Sequence, residues 1–286
     1  MDVQARTRFV AVGTRRIHVA EQGEGPPVLM LHGGGPGASG MSNYARNVEV
    51  LARRFRVIVP DMPGYGASSK GVSRSDPFGD LATGMLGLLD AMNIAKVHAV
   101  GNSLGGACAL RMALDHPQRI DRLVLMGPGG INTTRGLPTE GLRKLLNYYK
   151  DGAPTLERMR EFIGYLVFDP SSVPEALIKA RFEASIDPEV VASPPLRRPK
   201  TLVLSRIDFT RDRRLSSLPH PVLVLWGRED RVNPASGGLS LVRRLPRGDL
   251  HLFSRTGHWV QWERPDEFNA ITANFLQQSS LSAVAS

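Results

Sequence analysis

The stretch VHAVGNSLGGACALRM, residues 97–112, passes from β-branched residues through a serine set among glycines into small and apolar residues at helical spacing. That order predicts a strand, a turn too tight for side chains, and a helix. Gly101-Asn102-Ser103-Leu104-Gly105 fits G-x-S-x-G, the pattern that holds a serine hydroxyl exposed at a strained strand-to-helix turn. A serine that only caps a helix by accepting N–H groups does not need glycines around it. The glycines therefore point to Ser103 as a nucleophile.

A serine hydroxyl is a poor nucleophile until a base takes its proton, and the base needs an acid to orient it. When the serine sits on such a turn, the chain order is expected to be Ser, then Asp or Glu, then His. WGREDRVNP (226–234) supplies Asp230, with Glu229 beside it, and SRTGHWVQWERP (254–265) supplies His258. Each follows a short apolar run, PVLVLW (221–226) or LHLF (250–253), where the carboxyl ends of parallel strands would converge. Taken singly, Asp230 could be a turn residue or pair with Arg228 or Arg231, and His258 could belong to a structural loop. Of the other histidines, only His32 lies at the carboxyl end of a predicted strand.

That strand is PVLML (27–31), and the glycine run LHGGGPGASG (31–40) follows it. Glycines there let a main-chain N–H point at a developing oxyanion, so Gly34 and Leu104 are the expected donors. His32 then reads as a brace for the loop. HGGGPG lacks the G-K-[ST] ending of a phosphate-binding loop.

The same rhythm extends through FRVIVPD (55–61) and RLVLM (122–126). Continuous apolar strands separated by helical stretches imply a sheet covered on both faces, so the fold class is α/β, doubly wound and mostly parallel. Between residues 130 and 219 the rhythm breaks, and TLVL (201–204) alone reads as a buried strand. Helices are expected instead over 139–150, 154–168 and 174–186, each opening on threonine or proline. The domain reading is a core of 1–130 and 218–278, a helical lid of 131–217 and a flexible tail of 279–286.

With 42% hydrophobic and 22% charged residues the chain has the make-up of a folded domain. Cys108, the single cysteine, excludes an internal disulfide and a thiolate metal cluster. No segment resembles a signal peptide or reaches the ~18 apolar residues of a membrane span, so a cytoplasmic protein without membrane partner is expected. The charge of +9 is scattered except over 196–214, which reads as a solvated face, not a nucleic-acid site, and would favour an anionic substrate.

Together, HGGGPGASGMSNYARN (32–47), DMPGYGASSK (61–70), VGNSLGGACAL (100–110), LVLMGPGG (123–130), WGREDRVNP (226–234) and GHWVQWERPDEFN (257–269) resemble the α/β-hydrolases that cleave meta-cleavage products. The resemblance covers nearly all of the core. It implies the α/β-hydrolase fold and hydrolysis of the carbon–carbon bond of a 2-hydroxy-6-oxo-hexa-2,4-dienoate to 2-hydroxypenta-2,4-dienoate and a carboxylic acid. It implies no metal or organic cofactor, and a homo-oligomer. His258 would serve ketonisation first and activation of Ser103 second. By the same resemblance Arg181 meets the substrate's carboxylate and 2-oxo group, Asn43 and Asn102 lie near the dienoate, and Trp259 faces the conjugated chain. Leu166 and Phe168 are candidates for the pocket of the C6 substituent, which can be methyl, phenyl or a steroid fragment. The segment 190–217 departs from the family's usual lid. A carboxylesterase or lactonase with the same triad, a proline iminopeptidase and a non-catalytic ligand receptor are the alternatives; Leu104 stands where iminopeptidases carry tryptophan.

Overall fold

The computed structural model of the chain describes residues 5–132, 137–150, 152–197 and 203–278. Among these, eight strands form one sheet: β1 Arg6–Val12, β2 Arg15–Gln22, β3 Pro27–Leu31, β4 Arg56–Pro60, β5 Val97–Asn102, β6 Ile120–Met126, β7 Val222–Gly227 and β8 Gly248–Phe253. Their spatial order is β1-β2-β4-β3-β5-β6-β7-β8. β1 and β2 form an antiparallel hairpin against β4, and every later pairing is parallel. The chain steps outward from β3 to β4 and then returns past β3 to β5. That reversal opens a crevice at the carboxyl ends of β3 and β5, the position at which open α/β sheets bind ligands.

Burial on both faces explains the continuous apolar strands. In β3, Leu29 and Leu31 enter a core with α3 (Pro77–Ala91), α4 (Leu104–Asp115) and α10 (Ser236–Val242), and Cys108 packs there as a small apolar residue. Val28 and Met30 point the other way, into a core with α2 (Val48–Ala52) and α12 (Pro265–Gln277). α1 (Gly40–Tyr44) precedes α2, and α11 (Val260–Glu263) precedes α12.

Between β6 and β7 the chain is helical: α5 Glu140–Asn147, α6 Leu156–Leu166, α7 Glu175–Ser185, α8 Pro188–Ala192 and α9 Leu204–Ile207. The three helices expected from the sequence are present. Thr139 and Thr155 cap the first two by accepting from Leu142 N and Arg158 N. The strand expected at TLVL is not: Leu204 opens α9, while residues 201 and 202 lie outside the described set. β6 pairs directly with β7, Leu123 opposite Val222, so the sheet has no slot for another strand between them. The expected tail, 279–286, also lies outside the described residues. The helices share a small core of Leu145, Phe162, Ile163 and Leu166 with Val232, Trp259 and Trp262, so the inserted segment rests on the loops that carry the candidate acid and base.

Candidate active site

Ser103 sits between β5 and α4 with φ 53° and ψ −112°, a left-handed conformation that costs a non-glycine residue about 1–3 kcal/mol. It is over-determined by its surroundings. Ser103 N donates to Met126 O at 2.8 Å, and Ser103 O accepts from Ala107 N at 2.9 Å and Gly129 N at 2.8 Å. Its side chain makes no capping hydrogen bond, which removes the reading of Ser103 as a cap. The flanking glycines are required sterically, because a Cβ on Gly101 would collide with the Gly105 carbonyl and one on Gly105 with the carbonyl of Leu31.

His258 and Asp230 meet at the far end of the crevice. Asp230 Oδ1 accepts from Val232 N at 2.8 Å and Asn233 N at 2.9 Å, which turns Oδ2 toward His258 Nδ1 at 2.7 Å. The pair is buried. With Nδ1–H donating to the carboxylate, Nε2 is left as the base. The ion-pair alternatives for Asp230 do not form: Arg228 binds Glu229, and Arg231 donates to the Gly164 and Val167 carbonyls. Glu229 instead holds Thr256 N at 3.1 Å. Ser103 and His258 line one cavity without a hydrogen bond between them; serine hydrolases commonly tighten that bond only when substrate is in place.

The loop after β3 is fixed through its carbonyls. His32 Nδ1 donates to Gly33 O at 2.8 Å while Nε2 accepts from Met62 N at 2.9 Å. Burial lowers the His32 pKa, so this neutral tautomer persists and the ring braces the loop, as expected. Tyr65 Oη donates to Gly34 O at 3.1 Å, and Arg181 Nε and Nη2 donate to Pro36 O at 3.1 and 2.9 Å. These bonds occupy the loop's carbonyls, while the Gly34 N–H in the loop and the Leu104 N–H at the start of α4 have no internal partner among the described residues. The glycines here serve closeness more than conformational freedom. Gly34 lies outside the left-handed region, and a Cβ on it would stand 2.8 Å from Leu104 Cδ2. Tyr65 is a site residue that periodicity did not single out, although it lies in DMPGYGASSK.

Arg181, on α7, is 2% exposed, which rules out a surface role on the insertion. Its guanidinium lies 5.0 Å from the Trp259 ring. Burial pulls its pKa down to about 10, so it remains a cation at neutral pH. Among the described residues no carboxylate pairs with it, and Nη1 has no hydrogen-bond partner. Asn102 donates Nδ2 to His258 O at 3.1 Å and leaves Oδ1 buried and unpartnered. Asn43 lines the same cavity but uses Nδ2 on Ser39 O and Oδ1 on Gly33 N, so its first task is to shape the loop. Trp259 lines the cavity and also packs in the insertion's core. Leu166 faces the cavity. Phe168 does not: it is 38% exposed beneath Arg255, because α6 has ended and its chain turns outward.

A serine on a strained turn, a hydrogen-bonded Asp–His pair and two amides without a partner among the described residues, at the switch point of a parallel sheet, match the arrangement of a serine hydrolase. Residues 26–265 match the α/β hydrolase fold family. The chain is 40% identical over 280 residues to a 2-hydroxy-6-oxo-6-phenylhexa-2,4-dienoate hydrolase of Burkholderia cepacia, covering 94% of this chain and 96% of that one. It is 39% identical over 280 residues to a 2-hydroxy-6-oxononadienedioate/2-hydroxy-6-oxononatrienedioate hydrolase of Comamonas testosteroni, with the same coverage. In structure it is similar to the meta-cleavage product hydrolase of Pseudomonas fluorescens IP01, with a TM-score of 0.83, 34% identity, and 94% and 97% of the two chains covered. The chain belongs to the α/β hydrolase fold family and, within it, to the meta-cleavage product hydrolases. No helix among the described residues is long and apolar enough to cross a membrane.

Proposed function

We propose that this protein hydrolyses the C5–C6 bond of a 2-hydroxy-6-oxo-hexa-2,4-dienoate, with Ser103 as nucleophile, His258 as base and Asp230 as its orienting acid. The observation that carries the reading is Arg181. A buried guanidinium without a carboxylate is costly unless an anion completes it; Arg181 lines the cavity that holds Ser103 and His258, and its Nη1 is unpartnered. An ordinary ester has no carboxylate for that site. Asn102 Oδ1 can accept the 2-hydroxyl, Asn43 shapes the wall beside it, and Trp259 covers the planar dienoate.

A plain vinyl carbanion is too basic to leave. Proton movement by His258 first converts the dienol to its keto tautomer, whose departing electrons spread into a dienolate. Ser103 Oγ then attacks the C6 ketone as His258 Nε2 takes its proton, and the Gly34 and Leu104 N–H groups receive the oxyanion; one such donor is worth about 3 kcal/mol. The C5–C6 bond breaks, the dienolate is protonated, and water releases the acyl group from Ser103. Residues 131–217 act as the lid of this site, and the core comprises 1–130 and 218–278. The reading carries with it a cytoplasmic homo-oligomer without nucleic-acid or membrane partner, which light scattering and cell fractionation test.

The deciding experiment compares kcat/KM for dienoates carrying methyl or phenyl at C6 with that for p-nitrophenyl acetate, products being identified by mass spectrometry. Faster turnover of a dienoate, with both fragments recovered, supports the carbon–carbon hydrolase. Faster turnover of the ester would leave a carboxylesterase.

A further inference from the structure

Glu263, the last residue of α11, takes no part in the steps above, yet its carboxylate lies where three segments meet. Oε1 accepts from Gly257 N at 2.8 Å and Oε2 from Phe168 N at 2.6 Å. The first N–H immediately precedes His258, and the second lies just beyond α6. The junction is reinforced around this carboxylate. Leu166 O accepts from both His258 N at 2.8 Å and Trp259 N at 3.0 Å. Gly257 is packed so closely on the end of α6 that a Cβ there would stand 2.8 Å from the Val167 carbonyl carbon. From the other side Arg231, next to Asp230, holds the Gly164 and Val167 carbonyls.

We propose that Glu263 is a positioning residue for His258, its two oxygens together fastening the histidine loop to the end of α6 and so setting the imidazole against Asp230 and Ser103. The two N–H groups approach from different segments and meet different oxygens of Glu263, so both oxygens must accept. A carboxylate offers both, whereas a protonated carboxyl or an amide turns one of them into a donor and pushes an N–H away. The end of α6 is thereby part of the catalytic framework, and any opening of the lid takes place in its other helices.

The arrangement also ties the site to pH. Burial, and after it the negative Asp230, push Glu263 up to about 7, so the carboxylate that the clamp requires is lost within an ordinary working range. The charged and titratable groups around it are Asp230 and His258 on the catalytic loops, Glu229 bound to Thr256 N, and Asp169 and Arg255 beside Phe168. Arg264, the next residue, is directed to Thr256 Oγ1 and Ser254 O. Of these charges Asp230 is the main one that raises the Glu263 carboxyl, and no cation pairs with it among the described residues.

The test uses Glu263→Gln and Glu263→Asp in the full-length protein, with p-nitrophenyl acetate and a 6-phenyl dienoate as substrates. Gln keeps the size and loses one acceptor; Asp keeps the charge and loses the reach to both N–H groups. A misplaced base costs roughly 10- to 100-fold in rate. Both variants are expected to lose about that factor in kcat on both substrates with KM within a few-fold, and the acidic limb of kcat in Glu263→Gln should lose its component near pH 7. The downfield imidazole Nδ1–H resonance of His258 should shift in both variants, and it reports the loop directly even where stability falls. Wild-type kcat, pH profile and imidazole resonance in Glu263→Gln would overturn the proposal, and full activity in Glu263→Asp would reduce the residue to a source of charge. His258→Ala run in parallel separates the outcomes: activity retained there sinks the triad reading itself.

Discussion

Replacing Arg181 by Gln removes the one charge that distinguishes this site from that of a general esterase. The guanidinium is fully enclosed and has no carboxylate among its described neighbours, so the substrate's carboxylate is its missing partner. Leaving one member of a buried ion pair alone costs about 3–5 kcal/mol, or roughly 10²- to 10⁴-fold in kcat/KM for a dienoate. For p-nitrophenyl acetate, which brings no carboxylate, kcat/KM should change by less than about 5-fold. Folding should not confound the comparison. The variant gives up two charged hydrogen bonds to Pro36 O, worth about 1.5–3 kcal/mol each, but it also relieves a desolvated cation of similar cost. The assay is loss of the dienoate chromophore and release of p-nitrophenol by the same preparations, with thermal unfolding as the control. Equal losses on the two substrates would refute the reasoning, because they would trace the effect to the Gly33–Gly37 loop instead of to substrate charge.

Ser103→Gly should abolish turnover yet raise stability by about 1–2 kcal/mol in chemical denaturation, since glycine adopts φ 53° without strain and no capping bond is lost. Asp230→Asn should lower kcat by about 10³- to 10⁴-fold with KM little changed, because an amide beside Nδ1 favours the tautomer that protonates Nε2. His32, His98 and His220 are buried, and desolvation lowers the pKa of each. The unfolded chain takes up their protons near pH 6.5 while the folded one resists, so stability present above that pH is lost as pH falls through it. Unfolding temperatures measured from pH 7.5 to 5 should decline, and less steeply in His98→Gln.

The main features of this protein were legible in the sequence because each rests on a local rule. G-x-S-x-G encodes the strained turn because only glycines clear the backbone at positions 101 and 105. Apolar runs marked the strands from β3 onward, and the chain order Ser103, Asp230, His258 followed from which residues sit just beyond strand ends. Other elements gave weaker signals. α3 contains Gly79, Gly84 and Gly87, which blur its helical periodicity, and TLVL is apolar enough for a strand but has no neighbour to pair with.

Tertiary structure decided what depends on contacts between segments distant in sequence. Whether Asp230 or Glu229 serves the histidine was settled by two main-chain N–H groups that turn the Asp230 carboxylate inward. The family resemblance already names Arg181 as a substrate-binding candidate; its burial without a carboxylate partner among the described residues is a property of packing that no motif encodes. The fastening of the His258 loop to α6 joins residues about ninety positions apart, through the Leu166 carbonyl and through main-chain N–H groups that the Glu263 carboxylate accepts. Every residue but proline carries an N–H and a carbonyl whatever its side chain, so the sequence could mark the chemistry of the site while only the fold could show what holds it in register.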